Sequence, residues 1–334
     1  MITTDICIIG AGPVGLFAVF EAGLLKMRCH IIDALPMAGG QLSEIYPQKP
    51  IYDIPGAPGI IAEDLVKNLL LQIDEFKPGF TLGERVESLV KQEDGSFIVT
   101  TNEATEVHCK VVVIAAGLGS FEPRKPAVER LEYFEGKGVH YMVKRPEQFR
   151  DQKIVLAGGG DSALDWTIFL ADIADRVTLV HRGETFRGAP DSAAKVFELA
   201  EAGKIDLILQ SQVSSLGGNG VLKEVAVLGN DKSLTTIQTD SFIPLFGLSP
   251  KLGPIAEWNL GIEKSAILVD TLDYSTNVER IYAIGDINTY PGKLKLILCG
   301  FHEAAIMMQS AFKYVYPEQK LSFKYTTVNG VNAF

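Results

Sequence analysis

Cysteine is scarce and scattered in this chain. The four residues, Cys7, Cys29, Cys109 and Cys299, form neither a Cys-x-x-Cys pair nor a zinc-ligand spacing. Three of them sit in apolar or strand-like runs, so buried, inert thiols are expected. Unpaired thiols fit a reducing compartment, the cytoplasm. Long hydrophobic runs are also missing, and none approaches the ~18 residues that suggest a membrane span. The opening Met1-Ile-Thr-Thr-Asp5 has no basic region leading to a cleavage site, so no secretory signal is expected. A basic surplus is absent: the formal net charge of -10 argues against broad nucleic-acid binding. A local cationic patch remains compatible with an acidic protein partner. No low-complexity stretch, short-period repeat, nucleophile or acid–base dyad stands out.

What the chain does have is glycine at telling places. Its 334 residues suggest two domains, and 47% hydrophobic and 22% charged residues are ordinary for a globular protein. The apolar run Ile6-Cys-Ile-Ile9 leads into Gly10-Ala-Gly12-Pro13-Val-Gly15, and Leu16–Gly23 then reads as a helix. Strand, glycine turn and helix are the setting in which GxGxxG means dinucleotide binding. Gly10 permits the tight turn, Gly12 lets backbone approach a pyrophosphate, and Gly15 allows helix and strand to pack closely. The positive end of the helix faces the phosphates. A second strand, Cys29–Asp33, ends in an acid 18 residues after Gly15, placed to accept hydrogen bonds from a ribose diol. Gly39-Gly40-Gln41 follows. A glycine pair there admits a second phosphate or a ribityl chain, and Gln41 offers both a donor and an acceptor. Tyr46 is a candidate ring to stack on a flat cofactor.

A second such unit begins at Lys153–Ala157 and continues as Gly158-Gly-Gly160-Asp161-Ser162-Ala163, a GxGxxA turn, with a helix from Leu164. Its next strand, Arg176–Val180, is followed by His181-Arg182-Gly183-Glu184-Thr185-Phe186-Arg187. Where the first unit offers an acid, the second offers cations. A carboxylate suits a free 2′-hydroxyl and a guanidinium suits a 2′-phosphate. The first unit therefore reads as an FAD site and the second as an NADP(H) site. Near the C-terminus, Arg280–Ile284 reads as a strand stopping at Gly285-Asp286, where an acid can hydrogen-bond a ribityl hydroxyl.

The expected fold class is α/β, with two Rossmann-like domains and the second inserted in the first. The FAD-binding domain is expected to comprise residues 1–119 and 244–334, and the NADP(H)-binding domain 120–243. Strands around Phe97–Thr100 and Val111–Ile114 are expected in an insert of the first domain. Crossings at Gly117–Gly119 and Pro244–Gly247 are candidate hinges.

Together these motifs cover essentially the whole chain and resemble thioredoxin reductase-like flavoproteins. In thioredoxin reductase the segment before GGGDSA carries the redox Cys-x-x-Cys, but here it reads Gly138-Val-His-Tyr-Met-Val-Lys-Arg145. Without a dithiol, electrons cannot leave by thiol–disulfide exchange. The absent pair, Ile45-Tyr-Pro after GGQ, GGGDSALDW and the tail through Lys324–Gly330 are similar to ferredoxin–NADP+ reductases of the thioredoxin reductase-like type. That resemblance implies FAD contacts at Asp33, Gln41, Tyr46, Val86, Phe121, Asp286 and Thr327. It implies that Val86 holds adenine through its backbone and that Tyr46 stacks on one flavin face. It also implies a homodimer in which Tyr325 of the partner's tail covers the other face. The implied reaction is hydride transfer from NADPH to the flavin, then single electrons to ferredoxin or flavodoxin, with no dedicated catalytic side chain. One departure stands out: the family's His-Arg-Arg turn has Gly183 at its second arginine, which predicts a weaker preference for NADP over NAD.

Because ferredoxins are generally acidic, Arg124-Lys125, Lys144-Arg145 with Arg150, and Lys293 with Lys295 are candidate docking cations. His302 is a further residue that can lie near the flavin, although a structural role is the more common one. The competing readings are a diaphorase with a small-molecule acceptor and a flavin-binding redox sensor. A sensor has no need of two complete nucleotide sites.

Overall fold

The computed structural model describes residues 1–119, 122–249, 251–321 and 330–332. The chain forms two compact units, one of residues 1–120 with 250–334 and one of residues 121–249. The strand Ser241–Pro244 lies in the second unit's sheet, beside Lys153–Ala157. The return to the first unit, expected at residue 244, thus falls six residues later. All four residues of Ser241–Pro244 are buried although the strand ends its sheet, and Val139 bridges Phe242 on its outer side.

The first unit is built on a five-stranded parallel sheet ordered Gly79–Leu82, Cys29–Asp33, Ile6–Ile9, Val111–Ile114, Ile281–Ala283. Numbered along the chain, this order is 3-2-1-4-5. The direction of winding reverses between Ile6–Ile9 and Val111–Ile114, and ligands bind at the strand ends beside such a reversal. Val111–Ile114 is therefore a central strand and does not belong to the insert. All four of its residues are buried, the continuous apolar signature of a strand covered on both faces. The insert is a separate sheet of Ile2–Thr3, Glu106–Cys109, Phe97–Thr101 and Val86–Lys91. Its alternating burial, as in Phe97–Thr101, marks one covered face.

Helices Pro13–Leu24, Ala62–Ile73 and Ile297–Val315 contribute to one core with this sheet, through Leu16, Val19, Leu65, Leu69, Met307 and Met308. On the other side, Val86, Phe97, Val99 and Val107 of the insert pack with Cys7, Val112 and Ile114 of the central strands.

The second unit repeats the plan. Its parallel sheet runs Ile205–Ile208, Arg176–Val180, Lys153–Ala157, Ser241–Pro244, again 3-2-1-4 along the chain. Helix Asp161–Leu170 follows the glycine turn, and Ser211–Gly217, Glu224–Gly229 and Leu234–Gln238 add an antiparallel sheet. The segments at either end of this unit pair with each other, Glu122–Pro123 against Leu248–Ser249.

Cys7, Cys29 and Cys109 are buried, Cys299 is half-buried, and all four are free thiols. A hydrogen bond to Cys109, reinforced by burial, raises the Cys7 thiol well above its ordinary range. Among the described residues no helix is long and apolar enough to cross a membrane, and no His, Cys, Asp and Glu cluster is arranged to hold a metal.

Candidate functional sites

The first site forms where Ile6–Ile9 gives way to Pro13–Leu24. A Cβ on Gly10 would lie 2.3 Å from the Ala115 carbonyl oxygen, and one on Gly15 would lie 2.0 Å from that of Gly10. Both positions are closed to larger residues because strand, turn and helix touch there. Gly12 differs: a Cβ there would have nothing within 4 Å. Gly12 is also the helix N-cap and supplies no capping side chain, and Pro13 follows at the first helical position. The uncapped N–H groups of the first turn are left for an outside acceptor.

Asp33 closes one side of this opening. Its Oδ2 accepts the Ala11 amide at 2.6 Å and its Oδ1 the Leu35 amide at 2.8 Å. Burial raises the Asp33 carboxyl, partly opposed by these two bonds. Val86 starts the strand that follows Gly83 and Glu84, whose amides bond the Leu35 and Asp33 carbonyls. Gly39 donates to the Ala11 carbonyl at 2.8 Å, and a Cβ on Gly40 would lie 3.2 Å from the Gly12 Cα. Gly40 has φ +57° and ψ −129°, a conformation that glycine tolerates, and it caps the short helix Gln41–Glu44. The Gln41 side-chain amide lies 3.6 Å from where a Cβ on Gly117 would sit. The two glycine segments, Gln41 and the Ala115–Gly117 strand end thus surround one opening.

The third wall is the Gly285-Asp286 turn. The side chain of Val14 lies 3.4 Å from a Cβ built on Gly285 and 2.3 Å from one on Gly300. The first turns of two helices and the Gly-Asp turn therefore converge. Burial raises the Asp286 carboxyl, opposed by the charges of Lys295 and Lys293. Tyr46 is half-buried against the core, and its hydroxyl is pushed up to about 12 by burial and then by Asp286 and Asp53. Phe121, Tyr325 and Thr327 lie outside the described residues.

The second site repeats the first in a different key. A Cβ on Gly160 would also have nothing within 4 Å, and Gly160 caps Asp161–Leu170 without a side-chain bond. Ala163 is fully buried where helix meets strand. Asp161 Oδ1 accepts the Ala189 amide at 2.7 Å, and the Arg187 amide donates to the Gly159 carbonyl at 2.7 Å. The cation loop is thus bonded directly to the glycine turn. His181 fills the space beside it, 2.1 Å from where a Cβ on Gly159 would sit. Arg182 and Arg187 are exposed, and neither guanidinium has a partner among the described residues. Glu184 between them receives the Gln210 side-chain amide.

In the segment where thioredoxin reductase carries its redox pair, Val143 is fully buried and the Tyr141 hydroxyl donates to Glu135 at 2.6 Å. This segment contains no thiol.

Lys293 is not a docking cation. Its side chain is 4% exposed and is bonded to Glu303, which is 0% exposed. Arg124, Lys125, Lys144, Arg145, Arg150 and Lys295 are all exposed, with Lys125 bonded to Glu135 and Arg150 to Glu147. Sequence reasoning missed Glu303. The signal was present: Glu303 lies on the apolar stripe Gly300, Ala304, Met307, Ala311, where a charge needs a buried partner. His302 is exposed and stands edge-on to Tyr274 at 6.3 Å.

Both openings suit pyrophosphates: each has an uncapped helix start, a glycine facing open space, and the acid or cations that distinguish a ribose from its 2′-phosphate. Comparison with known proteins agrees. Residues 4–304 match the family described as pyridine nucleotide-disulphide oxidoreductase. The chain is 63% identical to ferredoxin–NADP reductase 1 of Christiangramia forsetii, over 100% of this chain and 96% of that one. It is 54% identical to a ferredoxin–NADP reductase of a Bradyrhizobium species, over 98% and 95%. Among solved structures, thioredoxin reductase of Lactococcus lactis superposes with a TM-score of 0.81 at 23% identity, covering 94% of this chain and 99% of that one. That of T. acidophilum gives 0.80 at 24% identity, over 94% and 99%. The fold is that of thioredoxin reductase, and the chain belongs to the ferredoxin–NADP reductases of the pyridine nucleotide-disulphide oxidoreductase family.

Proposed function

We propose that this protein is a ferredoxin–NADP+ reductase that carries electrons between NADPH and ferredoxin or flavodoxin through FAD. The observation that carries this reading is full-length identity of 63% to a named reductase, in a chain with two complete dinucleotide turns and no cysteine at residues 138–145. Bound FAD supplies two-electron acceptance from NADPH and one-electron release to the partner.

The chain's own residues bind and orient. The unit of residues 1–120 and 250–334 takes FAD: Gly12 and the helix start behind it receive the pyrophosphate, and Asp33 the adenosine ribose. Asp286 and Gln41 would hold the ribityl chain, and Tyr46 would stack on the ring. The unit of residues 121–249 takes NADP(H), with Arg182 and Arg187 on the 2′-phosphate. Phe121 and Thr327 add FAD contacts, and Tyr325 of a second copy covers the flavin in a homodimer. The enzyme works in the cytoplasm. Gly117–Gly119 would serve as a hinge between the units, whereas Pro244–Gly247 lies inside the second unit, with the Leu245 amide bonded to the Ala157 carbonyl.

The test is anaerobic reduction of the purified flavoprotein by NADPH or NADH, followed by ferredoxin with cytochrome c as final acceptor. Fast flavin bleaching by NADPH with ferredoxin-dependent cytochrome reduction is the expected result. Bleaching without ferredoxin-dependent turnover would move the function to a diaphorase.

A further inference from the structure

Four hydrogen-bond donors converge on the buried carboxylate of Glu303. Its Oε2 accepts the Gly285 amide at 2.7 Å and the Asn288 side-chain amide at 2.9 Å. Its Oε1 accepts the Tyr290 hydroxyl at 2.9 Å and the Lys293 ammonium. Asn288 spends its other hydrogen on the Ala283 carbonyl at 2.9 Å, so its orientation is set by two acceptors. Lys293 also lies 5.3 Å from the centre of the Tyr290 ring. Only a group that accepts at both oxygens satisfies all four donors. Glu303 comes from the middle of the helix Ile297–Val315, whereas its donors all come from residues 285–293. One side chain on a rigid element therefore ties down the whole segment that begins with Gly285-Asp286.

From this geometry we infer that Glu303 is a positioning residue for the flavin site, with Lys293 as its charge partner. It holds the Gly285 amide, and so fixes the backbone from which Asp286 meets the cofactor. The inference rests on the FAD reading above. Nothing in the fold alone demands an ion pair here, because an apolar residue on the same stripe would fill the core. What the carboxylate adds is an anchor for the turn.

Replacing Glu303 alone would leave the Lys293 charge buried and unpaired, and the chain could fail to fold for that reason. Two double variants avoid this. Glu303→Gln with Lys293→Met removes both charges but keeps an acceptor that Gly285 can use. Glu303→Leu with Lys293→Met removes both charges and the acceptor. FAD affinity of each apoprotein is measured by flavin fluorescence quenching, well below its unfolding temperature. Amide exchange of Gly285 is followed in the same apoproteins. The Gln pair is expected to bind FAD within about threefold of wild type. The Leu pair is expected to bind about tenfold or more weakly, the scale of one lost charged hydrogen bond, with faster Gly285 exchange. Equal FAD affinity and equal exchange in the two pairs would overturn the inference. A wild-type apoprotein that takes up no FAD would overturn the proposed function instead, and Gly285 exchange would then decide whether Glu303 holds the turn.

Discussion

Val14 occupies the space that a side chain at Gly300 would need, lying 2.3 Å from a Cβ built there. Val14 starts the helix behind the first glycine turn, and Gly300 lies in the first turn of the last helix. Gly300→Ala should therefore destabilise the protein, although alanine favours a helix by roughly 0.5–1 kcal/mol. Overpacking a filled core costs about 1–3 kcal/mol, and Val14 is β-branched and stiff, so the clash wins. Thermal unfolding should show a lower midpoint, restored in large part by Val14→Ala on the same background. An unchanged midpoint in Gly300→Ala would show that the two helices can slide apart freely.

Asp286 predicts an opposite effect on stability and binding. Burial raises its carboxyl, so the folded chain holds this proton more tightly than the unfolded chain does. The cost of burying the charge is fully present above the folded value and is relieved as pH falls through it. In the apoprotein, Asp286→Asn should raise the unfolding midpoint at neutral pH. The gain should shrink as pH drops towards the ordinary aspartate value of about 3.9. FAD affinity should fall in the same variant. A pH-independent difference in midpoint would rule out titration of Asp286 as the cause.

Coenzyme choice should reside in the loop after Val180. A charged hydrogen bond contributes about 1.5–3 kcal/mol, so Arg182→Ala or Arg187→Ala should each raise KM for NADPH by roughly 10- to 100-fold. KM for NADH should change little. Gly183→Arg should strengthen the choice of NADPH, provided that His181 yields slightly, since its Nε2 lies 3.0 Å from the added Cβ. Equal losses for both coenzymes in the alanine variants would remove these arginines from 2′-phosphate recognition.

The two glycine turns, the acid at Asp33 and the cation loop were legible because local sequence dictates them. A tight turn, a close approach and a charge at a strand end each leave a residue type at a fixed spacing. The place of Val111–Ile114 was not legible in that way. A short apolar run fits an insert strand or a central strand equally well, and only the strand order Cys29–Asp33, Ile6–Ile9, Val111–Ile114 decides it. Lys293 was misread for a related reason. A lysine beside Gly292 and Leu294 looks solvated, and its partner Glu303 lies ten residues on, inside a helix. Long-range pairing of that kind leaves a trace only in the misplaced acid on an apolar stripe.

Among the three proposed docking groups Lys293 is buried against Glu303, whereas Lys144 and Arg145 are adjacent and exposed. They stand just before the turn Pro146–Phe149, on the unit of residues 121–249. Exposed charges steer an acidic partner through the encounter rate more than through the final contact. Reversing both to glutamate should therefore raise KM for ferredoxin by about tenfold at low salt. The effect should fade as ionic strength approaches ~0.15 M, where the screening length is near 8 Å. Reduction of a small neutral dye should be unchanged, because such a dye has no charge for this surface to steer. Equal losses with dye and ferredoxin would indicate damage to the unit. A ferredoxin KM unmoved at low salt would place the docking surface elsewhere, with exposed Lys295 the next cation to reverse.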